Sequence, residues 1–256
     1  MMQTESYRIL FETEDTHWWL ATRRDMVLDW VYRHASGRAE LRLLDVGCGT
    51  GRLLRDLREL GDARGVDASH EAIGFSRKRG VGDLVEKADF RYLPFAAESF
   101  DVITAVDTLE HIADDVGALR EWERVLRPDG RLLIFVPAHR WLWSLQDEVS
   151  GHQRRYTART LRRAIDAAGL QVDRMTYVST LLFPVIFVGR LWLKVLRRFR
   201  EITTENDLHP AWSNTILRRI FRIEIGLLHR VNLPFGASIL CEASSPHRRR
   251  PPARPT

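Results

Sequence analysis

A short apolar run, Leu41-Arg-Leu-Leu-Asp-Val46, passes directly into Gly47-Cys-Gly-Thr-Gly51, and apolar residues then recur at helical spacing from Arg52 to Leu60. Strand, glycine turn and helix in that order open a β-α unit. Glycines at the hand-over permit positive φ and let a ligand approach the main chain, while helix-terminal N–H groups point at it. The alternation continues with a strand over 63–66, a helix over 71–79, the short run 84–87, a buried-looking strand over 100–106, a helix over 115–126 and the apolar run 131–136. Strands and helices alternating at this spacing predict an α/β fold, a parallel sheet wound on both faces. Thr157 reads as the N-cap of a helix ended by Gly169. A strand over 171–177 follows, and the turn-like Leu233-Pro-Phe-Gly236 introduces a last strand over 237–243.

That reading divides 256 residues into an N-terminal helical cap (1–40), a core (41–180), an insert (181–232), the last core strand (233–243) and a Pro/Arg-rich tail (244–256) expected to be disordered. The roughly fifty residues of the insert stand where a hairpin would suffice. The insert holds nine Lys/Arg against four Asp/Glu, and the tail four Arg and no acid; the remainder is mildly acidic. Its two apolar stretches, Ser179–Leu196 and Ile216–Arg230, are interrupted by Pro184, Gly189, Arg190 and Lys194 and by repeated arginines. They read as basic amphipathic helices suited to a membrane surface, a substrate cap or a dimer contact rather than as a span. Two distant cysteines, Cys48 and Cys241, suggest neither a disulfide framework nor a zinc site, and the N-terminal stretch lacks the pattern of a secretory signal. The expected location is the cytoplasm, with the inner face of the membrane as the place the insert would touch.

The loop Asp45-Val-Gly-Cys-Gly-Thr-Gly51 has G-x-G-x-G spacing with an acid two residues upstream. On it the chain resembles the class I S-adenosylmethionine-dependent methyltransferase family, from about Leu41 to Val136, which implies a seven-stranded Rossmann-like sheet with S-adenosylmethionine as cofactor. The resemblance implies that Asp45, Gly47, Cys48, Gly49 and Gly51 form the loop around the methionine part. Asp67 and Ala68 end strand two, where the family's acid accepts both ribose hydroxyls; a carboxylate can take two such hydrogen bonds. Asp89 and Phe90 are expected to flank the adenine, and Val106 and Asp107 to line the pocket near the sulfonium. By similarity with ubiquinone-pathway O-methyltransferases, Arg24 is expected to pair with the cofactor carboxylate and Trp19, or Trp18, to cover it. The competing reading has the tryptophans pinning an N-terminal helix to the core.

Strand four ends in Ala105-Val-Asp-Thr-Leu-Glu-His-Ile112. The Asp/Asn-Pro-Pro-aromatic signature of amino-directed nucleic-acid and glutamine methyltransferases is absent there, which favours a small-molecule or lipid-linked acceptor and O-methylation. Asp107, Glu110 and His111 match the ExxEH spacing of metal-dependent ubiquinone-pathway O-methyltransferases and small-RNA 2′-O-methyltransferases with Asp in first place, but a tetrapeptide like Leu109-Glu-His-Ile112 is widespread in metal-free members of the family, and no metal is expected. Segments such as His17-Trp-Trp-Leu-Ala-Thr-Arg-Arg24 look like a bacterial subgroup linked to envelope glycan and lipid pathways. Hydroxyl methylation needs a base, and the loop after strand five offers His139, Asp147, His152 and Tyr156. His152 is preferred because imidazole titrates near neutrality, with Arg154, Arg155 and Tyr156 placed to orient an anionic acceptor. An RNA methyltransferase and a non-catalytic cofactor-binding regulator are the rival functions; nucleic acid is not the expected partner.

Overall fold

The structure, a computed structural model, describes residues 4–35, 40–196 and 211–246. Four of the five residues of strand β1 (Arg42–Val46) are buried, as a strand covered on both faces requires, and it lies at the centre of a sheet. It pairs in parallel with β2 (Asp62–Asp67) on one side and β4 (Phe100–Val106) on the other. β3 (Val85–Lys87) extends the sheet beyond β2 and β5 (Leu126–Pro137) beyond β4, both in parallel. β7 (Ser238–Ser244) then runs antiparallel between β5 and β6 (Gln171–Val178). Among the described residues the order is β3-β2-β1-β4-β5-β7-β6, seven strands as expected.

One face of the sheet packs on α5 (Asp115–Val125) and α7 (Ala158–Ala167), with Leu119, Trp122, Leu161 and Ile165 fully buried. The other packs on α2 (Trp18–Ala35), α3 (Arg52–Leu57) and α9 (Ala211–Leu228), through Val27, Val31, Leu54, Leu57 and Phe221. The cap signals read from the sequence act as written: the Thr157 hydroxyl accepts from Thr160 N–H, and Gly169 ends α7 at φ +88°. α1 (Thr4–Thr13) and α4 (His70–Lys78) lie against each other beyond β2. The loop after β5 contains one further helix, α6 (Leu145–Ser150), held at its start by a Ser144/Asp147 capping box. Chain pairing carries the sheet past the expected end at 243: Ser244 belongs to β7 and Ser245 is buried, while 247–256 lie outside the described residues.

The insert contributes α8 (Phe183–Leu196) and α9. No helix among the described residues is long and apolar enough to cross a membrane. α9 buries Leu217, Phe221, Glu224 and Leu228 at helical spacing, so it is part of the fold rather than an appendage. Ser179 stands at φ +64° where β6 turns into α8, and three main-chain N–H groups converge on the Glu224 carboxylate there: Ser179 at 2.5 Å, Thr180 at 3.2 Å and Leu181 at 2.9 Å. The carboxylate thus satisfies the main chain of the sharp turn between β6 and α8. Glu224→Ala strands those donors and is expected to cost at least about 3 kcal/mol, read as a lower urea midpoint by tryptophan fluorescence.

Candidate active site

The carboxyl ends of β1, β2 and β4 open on one cavity of about 1520 Å3, closed over by α1, the start of α2 and α6. Pockets for single small molecules run to about 1000 Å3, so there is room for a cofactor and an acceptor together.

The floor is the glycine loop. Gly47 stands at φ +74°, and a side chain there would lie 2.3 Å from Thr108 Oγ1. Gly47 and Cys48 N–H donate to Val66 O at 2.8 and 3.1 Å, which folds the loop back over β2. Gly49 N–H donates to Asp67 Oδ2 and Ser69 N–H to Asp67 Oδ1, each at 2.9 Å. Asp67 is therefore held by one main-chain donor per oxygen, with a lone pair on each still available. Burial raises its carboxyl above the usual range against those hydrogen bonds. Asp45 also lines the cavity, accepting from Thr104 Oγ1 at 2.8 Å; burial pushes it up to about 7.

Of the residues expected around the cofactor, Trp19, Arg24, Asp45, Gly47, Cys48, Gly49, Asp67, Ala68, Asp89, Phe90, Val106 and Asp107 all border this cavity. Gly51 does not: it caps α3 at φ +79°, with a side chain there meeting Val81 and Ser76 of the next β-α unit. Its role is packing. The two tryptophans divide the alternatives between them. Trp18 is buried edge-on against Phe221, pinning α2, whereas Trp19 reaches the cavity from its contacts with Phe135 and Phe221. Arg24 is engaged by protein, at 3.0 Å from Asp15 Oδ1 and 3.2 Å from Asp56 Oδ2. Asp107, at φ +49°, is paired with Arg23, and Asp89 with Arg91 at 2.7 Å.

The wall opposite the loop is α6 and the segment after it. His152 lines the cavity, and its Nδ1 lies 2.8 Å from Asp147 Oδ1. Asp147 is fully buried and also receives Arg155 Nε at 2.7 Å and Nη2 at 2.8 Å. Burial alone would raise its carboxyl, but His152 and Arg155 hold it well below the ordinary range. Asp147 thus stands behind His152 and reaches no acceptor. Two further candidates are elsewhere. The Tyr156 hydroxyl donates to Asp115 Oδ2 at 2.9 Å inside the core, with burial raising its pKa, and His139 lies stacked on Tyr177, 5.3 Å between ring centroids. Arg154 is spent on Asp115 at 2.8 Å and Arg155 on Asp147, so neither is placed to meet an anionic acceptor.

Of the three residues with ExxEH spacing, Glu110 and His111 meet His152, one ligand atom from each lying within 4.8 Å of the others, a group that could hold a metal ion, while Asp107 is paired with Arg23. Burial first, then His152, lowers the His111 imidazole to about 4, leaving it neutral at physiological pH.

Sequence reasoning gave no individual role to α1, Arg23 or Glu14. Tyr7 of α1 is buried on the cavity edge, and burial with Asp67 nearby raises its hydroxyl to about 12. Glu14 accepts from Thr50 Oγ1 at 2.6 Å and pairs with Arg79, which ties the end of α1 to the glycine loop. The spacing Tyr7, Leu10, Phe11, Glu14 was the available signal. Gly47→Ala combines a strained φ with a clash against Thr108, and titration calorimetry should show affinity for S-adenosylhomocysteine down by at least about 100-fold, near 3 kcal/mol.

Residues 44–134 match the family model described as a methyltransferase domain. The chain is 27% identical over 198 residues to a ubiquinone biosynthesis O-methyltransferase of Aeromonas salmonicida, covering 66% of this chain and 82% of that one. It is 36% identical over 124 residues to the enzyme of the same name from Sinorhizobium medicae (45% of this chain, 50% of that) and over 123 residues to methyltransferase GfsG of Streptomyces halstedii (45% and 44%). The chain therefore spans half or less of the length of the last two relatives. In structure it is similar to a SAM-dependent methyltransferase from Aquifex aeolicus, with TM-score 0.53, 18% identity and coverage of 70% and 94%. The [4+2]-cyclase SpnF shares the fold as well, with TM-score 0.55, 22% identity and coverage of 87% and 81%. With the glycine loop, the acid at the end of β2 and the strand order in agreement, residues 44–134 form a methyltransferase domain of the class I, S-adenosylmethionine-dependent kind.

Proposed function

We propose that the protein methylates a hydroxyl of a small-molecule acceptor, lipid- or glycan-linked, with His152 as the base. The observation that carries this reading is His152 itself. Its ring is on the cavity wall with Nδ1 fixed on a fully buried aspartate, which leaves Nε2, 3.8 Å from Glu110 Oε1, as the nitrogen to accept a proton. Asp147 and Arg155 set the ring's tautomer and angle, as the buried carboxylate does in other base-orienter pairs. The relatives named as ubiquinone biosynthesis O-methyltransferases support a hydroxyl acceptor.

When bound, the cofactor supplies a methyl group on a positively charged sulfur, open to in-line displacement. The protein's part is to align the acceptor oxygen and remove its proton as the new C–O bond forms. The buried acids beneath the loop, Asp45 and Asp67, favour a cationic ligand over a neutral one.

The membrane side of the reading rests on α8. Ile186 and Arg190, with Leu182 just before the helix, face inward, while Val185, Val188, Leu191 and Trp192 are 54–63% exposed. An apolar face of that kind, beside the basic exposed side of α9, suits the surface of an anionic bilayer.

His152→Gln should lower turnover by about 100-fold or more while calorimetry shows S-adenosylmethionine still bound. The assay is conversion of labelled cofactor in fractionated cell extract, with the product identified by mass spectrometry; unchanged turnover removes the base. Wild-type protein should co-sediment with vesicles containing anionic lipid and be released by salt, and Trp192→Glu with Val188→Glu should abolish this.

A further inference from the structure

α1 is a helix of ten residues, too short to hold its shape in water unaided, so tertiary contact is what keeps it over the cavity. Ser6, Tyr7 and Leu10 of α1 line the same cavity as Gly47, Gly49 and Thr50 of the glycine loop, and a cofactor seated on the loop lies beneath the helix. The ties of α1 gather at its carboxyl end. Phe11 packs on Phe75 of α4 with 5.3 Å between ring centroids, and the Arg79 guanidinium lies 4.4 Å from the centre of the Phe11 ring. Glu14, buried just past the last turn, accepts from Thr50 Oγ1 at 2.6 Å on one oxygen and 2.9 Å on the other, and pairs with Arg79. Arg79 Nε in turn donates to Thr50 O at 2.9 Å. Three segments, α1, the end of α4 and the glycine loop, thus meet in one junction shielded from water, where charge-assisted hydrogen bonds are strong. Next to it the chain turns, with Thr16 and His17 N–H both donating to Thr13 O, and Asp15 is fixed on the outside by Arg52 at 2.7 Å. Swinging α1 off the cavity on that turn draws Glu14 away from Thr50.

We infer that Glu14 is a positioning residue for the cofactor: through Thr50 and Arg79 it latches α1 over the glycine loop, and the cofactor enters and leaves as this junction parts. The inference rests on the cofactor site and is independent of the acceptor and of His152. Every member of the junction is a protein group, so the latch opposes entry as much as exit. A ligand under α1 adds contacts in the closed arrangement that the open one lacks, and therefore shifts the balance toward closure. A residue that merely held the ligand would slow its departure and leave its arrival unchanged. Thr50 is the link to the loop: it is buried between Gly49 and Gly51, and its hydroxyl is committed to Glu14. Two substitutions separate the parts. Glu14→Gln keeps an acceptor for Thr50 but gives up the charge opposite Arg79, whereas Thr50→Val keeps the ion pair and the shape of the loop residue and removes the hydroxyl.

The test is stopped-flow tryptophan fluorescence on the full chain with S-adenosylhomocysteine, which reads association and dissociation separately. Each substitution should raise both rate constants by about tenfold, the worth of one hydrogen bond to a charged group, and so change Kd far less than either rate. Because either change parts the same junction, the double variant should be no faster than the single ones. Hydrogen exchange supplies a second readout: S-adenosylhomocysteine should slow the amides of residues 8–13 in the wild type, and in both variants those amides should exchange faster than in the ligand-free wild type. Faster dissociation with unchanged association would make Glu14 a support for the bound ligand and overturn the latch. Unchanged rates in Thr50→Val, or effects that multiply in the double variant, overturn it as well, as does a lower urea midpoint with neither rate altered. Should Glu14→Gln fail to fold, Thr50→Val decides the question, since it leaves the buried ion pair whole.

Discussion

The approach of Gly47 to Thr108 holds the site together. β1 and β4 are neighbours in the sheet although two strands separate them in sequence, and their connections leave in opposite directions, so a crevice must open where their carboxyl ends part. Thr108 closes the bottom of that crevice, donating to Val46 O at 2.9 Å, and its side chain fills the space a side chain on residue 47 would need. The same contact sets the depth of the glycine loop, and with it the reach of Gly49 N–H to Asp67. One missing Cβ therefore fixes three strand ends relative to one another.

Around that crevice the charges are arranged with little waste. Arg23, Arg24, Arg79, Arg91, Arg154 and Arg155 each face a carboxylate, which removes positive charge from the walls. Asp45, Asp67, Glu14 and Glu110 are buried, and burial raises the carboxyl of each. A cavity with neutralised cations and poorly solvated acids is a poor host for an anion and a better one for a ligand group carrying a weakly hydrated positive charge. The cofactor's sulfonium has that charge and its demethylated product lacks it, so the same field that favours the donor helps release what remains of it.

Much of the sheet could be read from the sequence because local pattern decides it: the glycine loop, the buried runs at β1, β4 and β5, the Thr157 cap and the Gly169 stop depend on neighbours a few residues away. Asp67 was readable for the same reason, since a strand of fixed length places its last residue at the sheet's edge. The second set of site residues was less accessible. Tyr156 looked available as a base until Asp115, 41 residues away, took its hydroxyl. Asp147 looked like a base too, but the helix it begins needs it as a cap, and Arg155 and His152 fold back onto it from the segment that follows. Adjacent arginines at 154 and 155 read as one anion-binding pair, yet they part to different acids.

What separates these cases is the range of the interaction that fixes the role. A glycine's freedom or a cap's hydrogen bond is a property of a few consecutive residues, whereas His152 is oriented by Asp147 and packed beside Glu110 and His111, brought together by a turn after β4 and a helix after β5. Neither segment alone signals the arrangement: the ExxEH spacing marks Glu110 and His111, but not the burial of Glu110 or the approach of His152. Burial, a property of the assembled fold, is what turns an unremarkable carboxylate into one that holds a proton near neutrality. The glycine loop and the acid that ends β2 are thus written in local sequence, whereas the cluster of Glu110, His111 and His152 arises only when the segment after α6 meets the β4–α5 turn.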